Sequence, residues 1–251
     1  MRADQLLVDR GLAASRSQAQ RLIASGVEWR VGDQSWQRIA KNGDALPLHC
    51  ELQLLDDAET RYVSRGGLKL EGALRDSGFA ANSLRCLDVG QSTGGFTHCL
   101  LQHEAVQVVG IDVGHGQLHP DLREDKRVVC LERINARELS VDDLQIPDLA
   151  AGFDLVVGDL SFISLTLVLP SLYPFLRSSG HLLMLVKPQF ELQPTDIGKG
   201  GLVKDSASYV KVEARLREAC AKLNLTVLGY WPSVIAGGDG NQEFWIGARR
   251  S

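Results

Sequence analysis

Leu87-Asp88-Val89-Gly90-Gln91-Ser92-Thr93-Gly94-Gly95-Phe96 is the stretch on which the fold turns. It reads as an apolar strand, a glycine-rich turn and the opening of a helix. Glycine lets backbone approach a ligand closely, and a helix N-terminus presents free N–H groups. The dinucleotide fingerprint GxGxxG is absent, because three residues separate Gly90 from Gly94. Acid-x-Gly-x-x-x-Gly instead suits S-adenosylmethionine, whose cationic amino-acid end needs a carboxylate such as Asp88 rather than a phosphate cradle. Further on, Val108-Val109-Gly110-Ile111-Asp112-Val113 carries an acid where nucleoside-binding sheets grip two ribose hydroxyls. Either feature alone is equally a tight strand–helix turn with a capping Asp.

Outward from that turn, short apolar runs recur at Cys86–Val89, Val106–Val113, Val128–Leu131, Phe153–Val157, His181–Val186, Leu225–Tyr230 and Phe244–Ile246. Helical patterns lie between several of them, at Leu68–Gly78, Gly95–His103, Ile163–Leu176 and Ser206–Leu223. All-apolar strands alternating with helices predict an α/β fold, a mostly parallel sheet covered on both faces.

Ligands bind at the carboxyl ends of strands in such sheets. Asp159 follows Phe153–Val157, and Lys187 follows His181–Val186. Lys187 comes directly after Leu182-Leu183-Met184-Leu185-Val186, where a lysine is either buried or functional. Glu243 opens the last apolar run and reaches the same edge if that strand is antiparallel. Lys69, in Ser64-Arg65-Gly66-Gly67-Leu68-Lys69, opens the helix before the first strand and can reach over that edge. Each is a solvated charge when taken alone. Together, two lysines and two acids beside a methyl-donor pocket suit methylation of a ribose 2′-hydroxyl, which must lose a proton as it attacks. A neutral lysine can take that proton, while the acids orient the amines. No Asn/Asp-Pro-Pro-aromatic motif is present, against methylation of exocyclic base amines.

The 251 residues are 44% hydrophobic and 23% charged with net charge −4, which excludes a disordered chain and a uniformly basic coat. The longest apolar stretch, Leu165 to Leu176, is broken by Pro170 and Pro174 and falls short of the ~20 residues of a bilayer span. The opening MRADQLLVDRG has acids and no apolar core, unlike a signal peptide. Cys50, Cys86, Cys99, Cys130 and Cys220 never form CxxC, as expected of reduced thiols in a cytoplasmic protein. No Cys follows a recognisable catalytic motif, although a Cys nucleophile stays open. His115 and His119 share the i, i+4 spacing of metal ligands, yet Gly114, Gly116 and Pro120 surround them without a third ligand, so no metal is expected. Gly198-Lys199-Gly200-Gly201, within the polar stretch 189–204, suits a lid or a long loop at least as well as a phosphate contact.

Residues 1–60 read as a small α+β module. Asp4–Arg10 and Ser17–Ala24 are short amphipathic helices with Leu6, Leu7, Ala19, Leu22 and Ile23 as a shared seam. Strands are expected around Val27–Val31, Ser35–Ile39 and Leu52–Leu55. Residues 1–41 hold seven Arg or Lys against four acids, and residues 42–60 hold five acids and no base, so charge is polarised along the module. Asp56-Asp57-Ala58-Glu59 looks like a linker leading to residues 61–67, with the large domain over 61–251.

Several stretches resemble the TlyA (haemolysin A) family of ribosomal RNA 2′-O-methyltransferases. They are Ser64–Leu70, Asp88-Val89-Gly90, Ser92–Thr97, Asp112–Leu118, Asn135-Ala136-Arg137, Asp159–Ser164, Lys187–Glu191 and Gly240–Phe244. The first sixty residues are similar to the alpha-L (S-four-type) RNA-binding fold, on Arg16, Ser17, Gln18, Ala19 and Arg21. The resemblance implies a Rossmann-like class I methyltransferase with a seven-stranded sheet and an antiparallel last strand. It implies Lys69, Asp159, Lys187 and Glu243 as catalytic tetrad. It places S-adenosyl-L-methionine against Asp88, Gly90, Ser92, Gly94, Gly95, Phe96 and Asp112, and RNA against Arg2, Arg16, Arg21 and Arg65. The implied partner is ribosomal RNA or a ribosomal subunit, large-subunit RNA being favoured by the chain's short ends, with no membrane. Monomer and homodimer stay open. His98 replaces an acid and Gln91 a small residue of the family pattern, both bearing on donor affinity. The rival expectations are a catalytically silent RNA-binding assembly factor and a membrane-active haemolysin.

Overall fold

The computed structural model describes residues 1–55, 61–144, 146, 151–237 and 240–251. The acidic run Asp56–Glu59 lies outside the described residues. The chain divides into two units, Met1–Arg65 and Gly66–Ser251.

In the first unit, α1 (Ala3–Asp9) and α2 (Arg16–Gly26) precede β1 (Val27–Arg30), β2 (Gln37–Arg38) and β3 (Glu51–Leu54). The strands form an antiparallel sheet in the order β2-β1-β3. Gly11 ends α1 at φ +70°, a conformation that costs glycine little. Ser15 starts α2 by accepting the Gln18 N–H at 3.3 Å. Leu6, Leu7, Ala19, Leu22 and Ile23 meet in one buried cluster with Val27 and Ile39, so the apolar stripe of each helix covers the other and the sheet.

The second unit runs α3 (Gly66–Ser77), β4 (Arg85–Val89), α4 (Gly95–Gln102), β5 (Gln107–Asp112), α5 (Pro120–Glu124), β6 (Val128–Glu132), β7 (Phe153–Gly158) and α6 (Leu165–Leu172). It continues with β8 (Leu176–Val186), α7 (Pro188–Glu191), α8 (Ser208–Lys222), β9 (Leu225–Pro232) and β10 (Phe244–Arg250). Seven strands lie in the order β6-β5-β4-β7-β8-β10-β9, with β6, β5, β4, β7 and β8 parallel. β10 is antiparallel to both its neighbours. The run Leu182–Val186 is no more than 1% exposed at any residue, as a strand covered on both faces requires. Strand order reverses beside β4, so a crevice opens past the carboxyl ends of β4 and β7.

Three elements differ from the sequence expectation. The helix expected over Ile163–Leu176 is α6 only, followed by a 3₁₀ turn at Tyr173–Phe175. Pro174 lacks an N–H and disfavours the helical conformation in the residue before it. β8 starts at Leu176, five residues earlier than the apolar run, because its first half is the exposed Arg177-Ser178-Ser179 with Ser179 at φ +63°. α5 falls where two metal-like histidines stood. His119 caps it, its Nδ1 accepting the Asp121 N–H at 3.3 Å, with Pro120 in the first turn.

Candidate active site

The turn after β4 places its glycines for two different reasons. Gly90 sits at φ +84°, and a Cβ there would lie 2.4 Å from the Asp159 carbonyl oxygen. Parallel register sets this up, since Val89 pairs with Gly158 and the Asp159 N–H donates to the Val89 carbonyl at 3.0 Å. Bare backbone at Gly90 therefore forms one wall of a cavity of about 530 Å³, lined also by Ser92, Asp112, Asn135, Asp159 and Phe162. That volume lies within the 300–1,000 Å³ of small-ligand sites. Gly94, at φ +94°, answers to a different neighbour. A Cβ there would meet Leu122 Cδ1 at 2.4 Å and Leu118 Cδ1 at 2.7 Å, so this glycine admits the side chains around α5. Gly95 and Phe96 are buried, and the Phe96 ring lies 5.5 Å from that of Trp245. The structure thus brings Gly90, Ser92 and Asp112 to the cavity and leaves Asp88, Gly94, Gly95 and Phe96 buried outside its lining.

Asp112 ends β5 with its carboxylate pinned by backbone, Oδ2 accepting from Ser92 N at 2.8 Å and Oδ1 from Gly114 N at 2.7 Å. Each oxygen keeps a further lone pair for a ligand hydroxyl. Asp88, on β4, is fully buried. Its Oδ2 accepts from the Thr97 hydroxyl at 2.7 Å, and Oδ1 has no partner. Burial pushes the Asp88 carboxyl up to about 7, opposed by hydrogen bonds from Thr97 and reinforced by the charges of Asp159 and Asp112. A buried acid with a bare oxygen, a pinned diol acceptor and apolar lining from Ile111, Val113, Ile134 and Leu160 fit S-adenosylmethionine, which carries two cations, a ribose and an adenine.

The four charged residues converge in pairs. Lys69, in the first turn of α3, donates to Glu243 Oε2; the two are 8% and 2% exposed. Lys187 Nζ stands 2.5 Å from Asp159 Oδ1 and donates its hydrogen bond to Ser161 Oγ at 2.9 Å. The antiparallel pairing of β10 with β8 joins the pairs, because Phe244 faces Val186 and Glu243 therefore begins β10 beside Lys187. Burial pushes the Glu243 carboxyl up and Lys69 pulls it down, with Asp159 and Lys187 acting on it in opposite senses. Lys187 and Glu243 line a second cavity of about 520 Å³ with Phe190, Gly200 and Gly201, and it shares Ser161 and Phe162 with the first. Phe162, at φ +65° and 90% exposed, holds its ring 5.1 Å from that of Phe190 at this junction. Burial raises the Cys86 thiol and raises that of Cys220 to about 11, so neither is a thiolate at neutral pH.

Residues 62–250 match the FtsJ-like methyltransferase family. The chain belongs to that family. The 16S/23S rRNA (cytidine-2′-O)-methyltransferase TlyA of Mycobacterium tuberculosis is 41% identical over 249 residues, 99% of this chain and 89% of that protein. Hemolysin A of Brachyspira hyodysenteriae is 35% identical over 254 residues, covering 97% and 98% of the two. The solved structure of a hemolysin-named protein from Streptococcus thermophilus has a TM-score of 0.76 at 37% identity, covering all of this chain and 88% of that one. Within the FtsJ-like crevice, Gln117, Asn135, Ser161 and Phe162 line cavities without having been singled out from the sequence, although each falls in a stretch that carries the family resemblance. His98 stands outside both linings and contacts Gln102 at 3.1 Å; burial lowers its pKa, as does nearby His119. Among the described residues, no group of three or more His, Cys, Asp or Glu can hold a metal ion and no helix is long and apolar enough to cross a membrane.

The first unit lies almost wholly outside the FtsJ-like span. There Arg2 and Arg16 converge on the buried Asp4: Arg2 Nε is 3.0 Å from Oδ1, and Arg16 Nη2 is 3.0 Å from Oδ2. Both guanidiniums stay half exposed, at 54% and 53%. Gln20 adds a hydrogen bond to Asp4 at 3.2 Å. Arg21 donates to the Ser17 carbonyl on its own helix at 3.1 Å. Arg65 is the last residue of this unit.

Proposed function

We propose that the protein methylates the ribose 2′-hydroxyl of a cytidine in ribosomal RNA with S-adenosyl-L-methionine as donor. The observation that carries this reading is the meeting of the Lys69–Glu243 and Lys187–Asp159 pairs at the strand ends that also form the Gly90–Asp112 cavity. The likeness to TlyA supplies the substrate class. When bound, S-adenosylmethionine supplies an electrophilic methyl on a sulfonium and leaves as a neutral thioether. Asp112 would hold the ribose hydroxyls of the donor, and Asp88 would balance its cationic amino-acid end. In its neutral form Lys187 is the general base: the lone pair of its Nζ receives the 2′-hydroxyl proton as that oxygen forms its bond to the methyl carbon. Asp159 and Ser161 hold that amine in place, and Glu243 holds Lys69 beside it. The exposed ring of Phe162 offers a stacking platform for a base drawn out of the RNA. Arg2, Arg16, Arg21 and Arg65 would hold phosphates. This reading places the protein in the cytoplasm with its ribosomal substrate.

The test is to incubate ribosomal subunits with the protein and labelled donor, then map the modified nucleoside by mass. The expected product is 2′-O-methylcytidine, with Lys187→Ala inactive and still bound to RNA. A methyl on a base, or no transfer by the parent protein, overturns the reading.

A further inference from the structure

Gln91 belongs to the glycine-rich turn, yet its side chain is 3% exposed and absent from the cavity wall. Its carboxamide lies across Gly110 of β5, where a Cβ would come within 2.0 Å of Cδ and Nε2. Gln91 Nε2 donates to Thr97 Oγ1 at 2.9 Å, and Thr97 Oγ1 donates to Asp88 Oδ2 at 2.7 Å. Direction follows from proton count. An ionised carboxylate only accepts, so the single hydroxyl proton of Thr97 goes to Asp88, and its oxygen takes an N–H from Gln91. The amide and the hydroxyl are thereby fixed together, and Asp88 Oδ1 is left bare.

We infer that Gln91 is a positioning residue for the methyl donor, fixing the carboxylate of Asp88 through Thr97 behind the Gly90 turn, from where its charge acts on the donor's cationic amino-acid end. The inference rests on the reading of the Gly90–Asp112 cavity as the donor site. The charged groups acting on Asp88 are Asp112 at the end of β5 and Asp159 after β7, both acids. Cys86, on β4 itself, also lies within electrostatic reach. Since burial raises Asp88 to about 7, ionisation on going from pH 6 to pH 8 should tighten donor binding, and loss of the Gln91–Thr97–Asp88 chain should move that transition to higher pH.

Calorimetry on the full chain tests this with two probes: S-adenosylhomocysteine, which has the amino-acid end, and adenosine, which lacks it. For Gln91→Leu, which keeps bulk over Gly110, binding of S-adenosylhomocysteine should weaken about 5- to 10-fold, the loss of roughly one buried hydrogen bond, with adenosine unchanged. Thr97→Val should show the same selective loss, Thr97→Ser should restore it, and adding Gln91→Leu to Thr97→Val should weaken binding no further. Equal losses for both probes, additive losses, or an unchanged affinity overturn the inference. Should Gln91→Leu fail to fold, Gln91→Met takes its place in the same comparison, and a selective loss absent there overturns the inference. A parent protein that binds neither probe refutes the donor reading itself, a separate result.

Discussion

Three residues invite single substitutions, each for a different reason. Lys187 is the proposed base, so Lys187→Ala should lower kcat about a thousandfold, within the usual reach of acid–base catalysis, while RNA affinity stays within about twofold. Single-turnover methylation and filter binding measure the two quantities. Phe162 is an exposed aromatic in a left-handed conformation that bulky residues seldom adopt. Phe162→Ala should raise KM for RNA about tenfold, because stacking a base is worth roughly 1–3 kcal/mol, and should leave S-adenosylhomocysteine binding alone. Gly90 has a Cβ-forbidding neighbour at 2.4 Å and φ +84°. Gly90→Ala should abolish detectable donor binding and destabilise the protein by about 1–3 kcal/mol, read by calorimetry and a thermal melt.

At the scale of elements, Asp4 ties α1 to α2. Its carboxyl is held well below the usual carboxylate range, chiefly by the Arg2 hydrogen bonds, with Arg16 and Gln20 adding to them. A depressed acid contributes stability that is present above its unfolded value of about 4 and lost as pH falls toward the folded one. Asp4→Asn should therefore lower amide protection in α1 and α2 by about 1–2 kcal/mol at pH 7, a value discounted because both arginines are half exposed. The deficit should shrink below pH 4. Hydrogen exchange resolved by residue checks both statements. The elements also show what the chain makes legible. β4, β7 and the apolar half of β8 are readable because strands buried on both faces are continuous apolar runs. The first half of β8 is not, since Arg177, Ser178 and Ser179 face solvent and its register against β7 shifts between Phe153 and Leu155, a tertiary fact. α5 is five residues long and leans on Gly94 for space, which no periodicity reports.

Across the whole molecule, the proposed function gives each of the two units its own share of the work. Charge removal in the first, as in Arg2→Ala with Arg16→Ala, should raise KM for RNA and reduce the salt dependence of RNA binding by about two charges, leaving kcat at saturating RNA unchanged. Steady-state kinetics across a salt series reads this. The tetrad itself was within reach of the sequence only in part. Asp159 and Lys187 terminate apolar runs, so their place at the sheet edge follows from pattern. Glu243 depended on the direction of the last strand, and the register Phe244 to Val186 is a tertiary fact. Gly94 teaches the same lesson, because a sequence shows that glycine is needed but not which neighbour, Leu118 or Leu122, demands it.

The position of β10 also sets an order of events during synthesis. Residues 244–250 are inserted between β8 and β9, which are made earlier and each pair with them. Until that segment leaves the exit tunnel, the nascent chain carries two open strand edges, the kind of surface chaperones cover. Glu243 emerges with the same segment, so Lys69 gains its counter-charge only when the sheet is sealed.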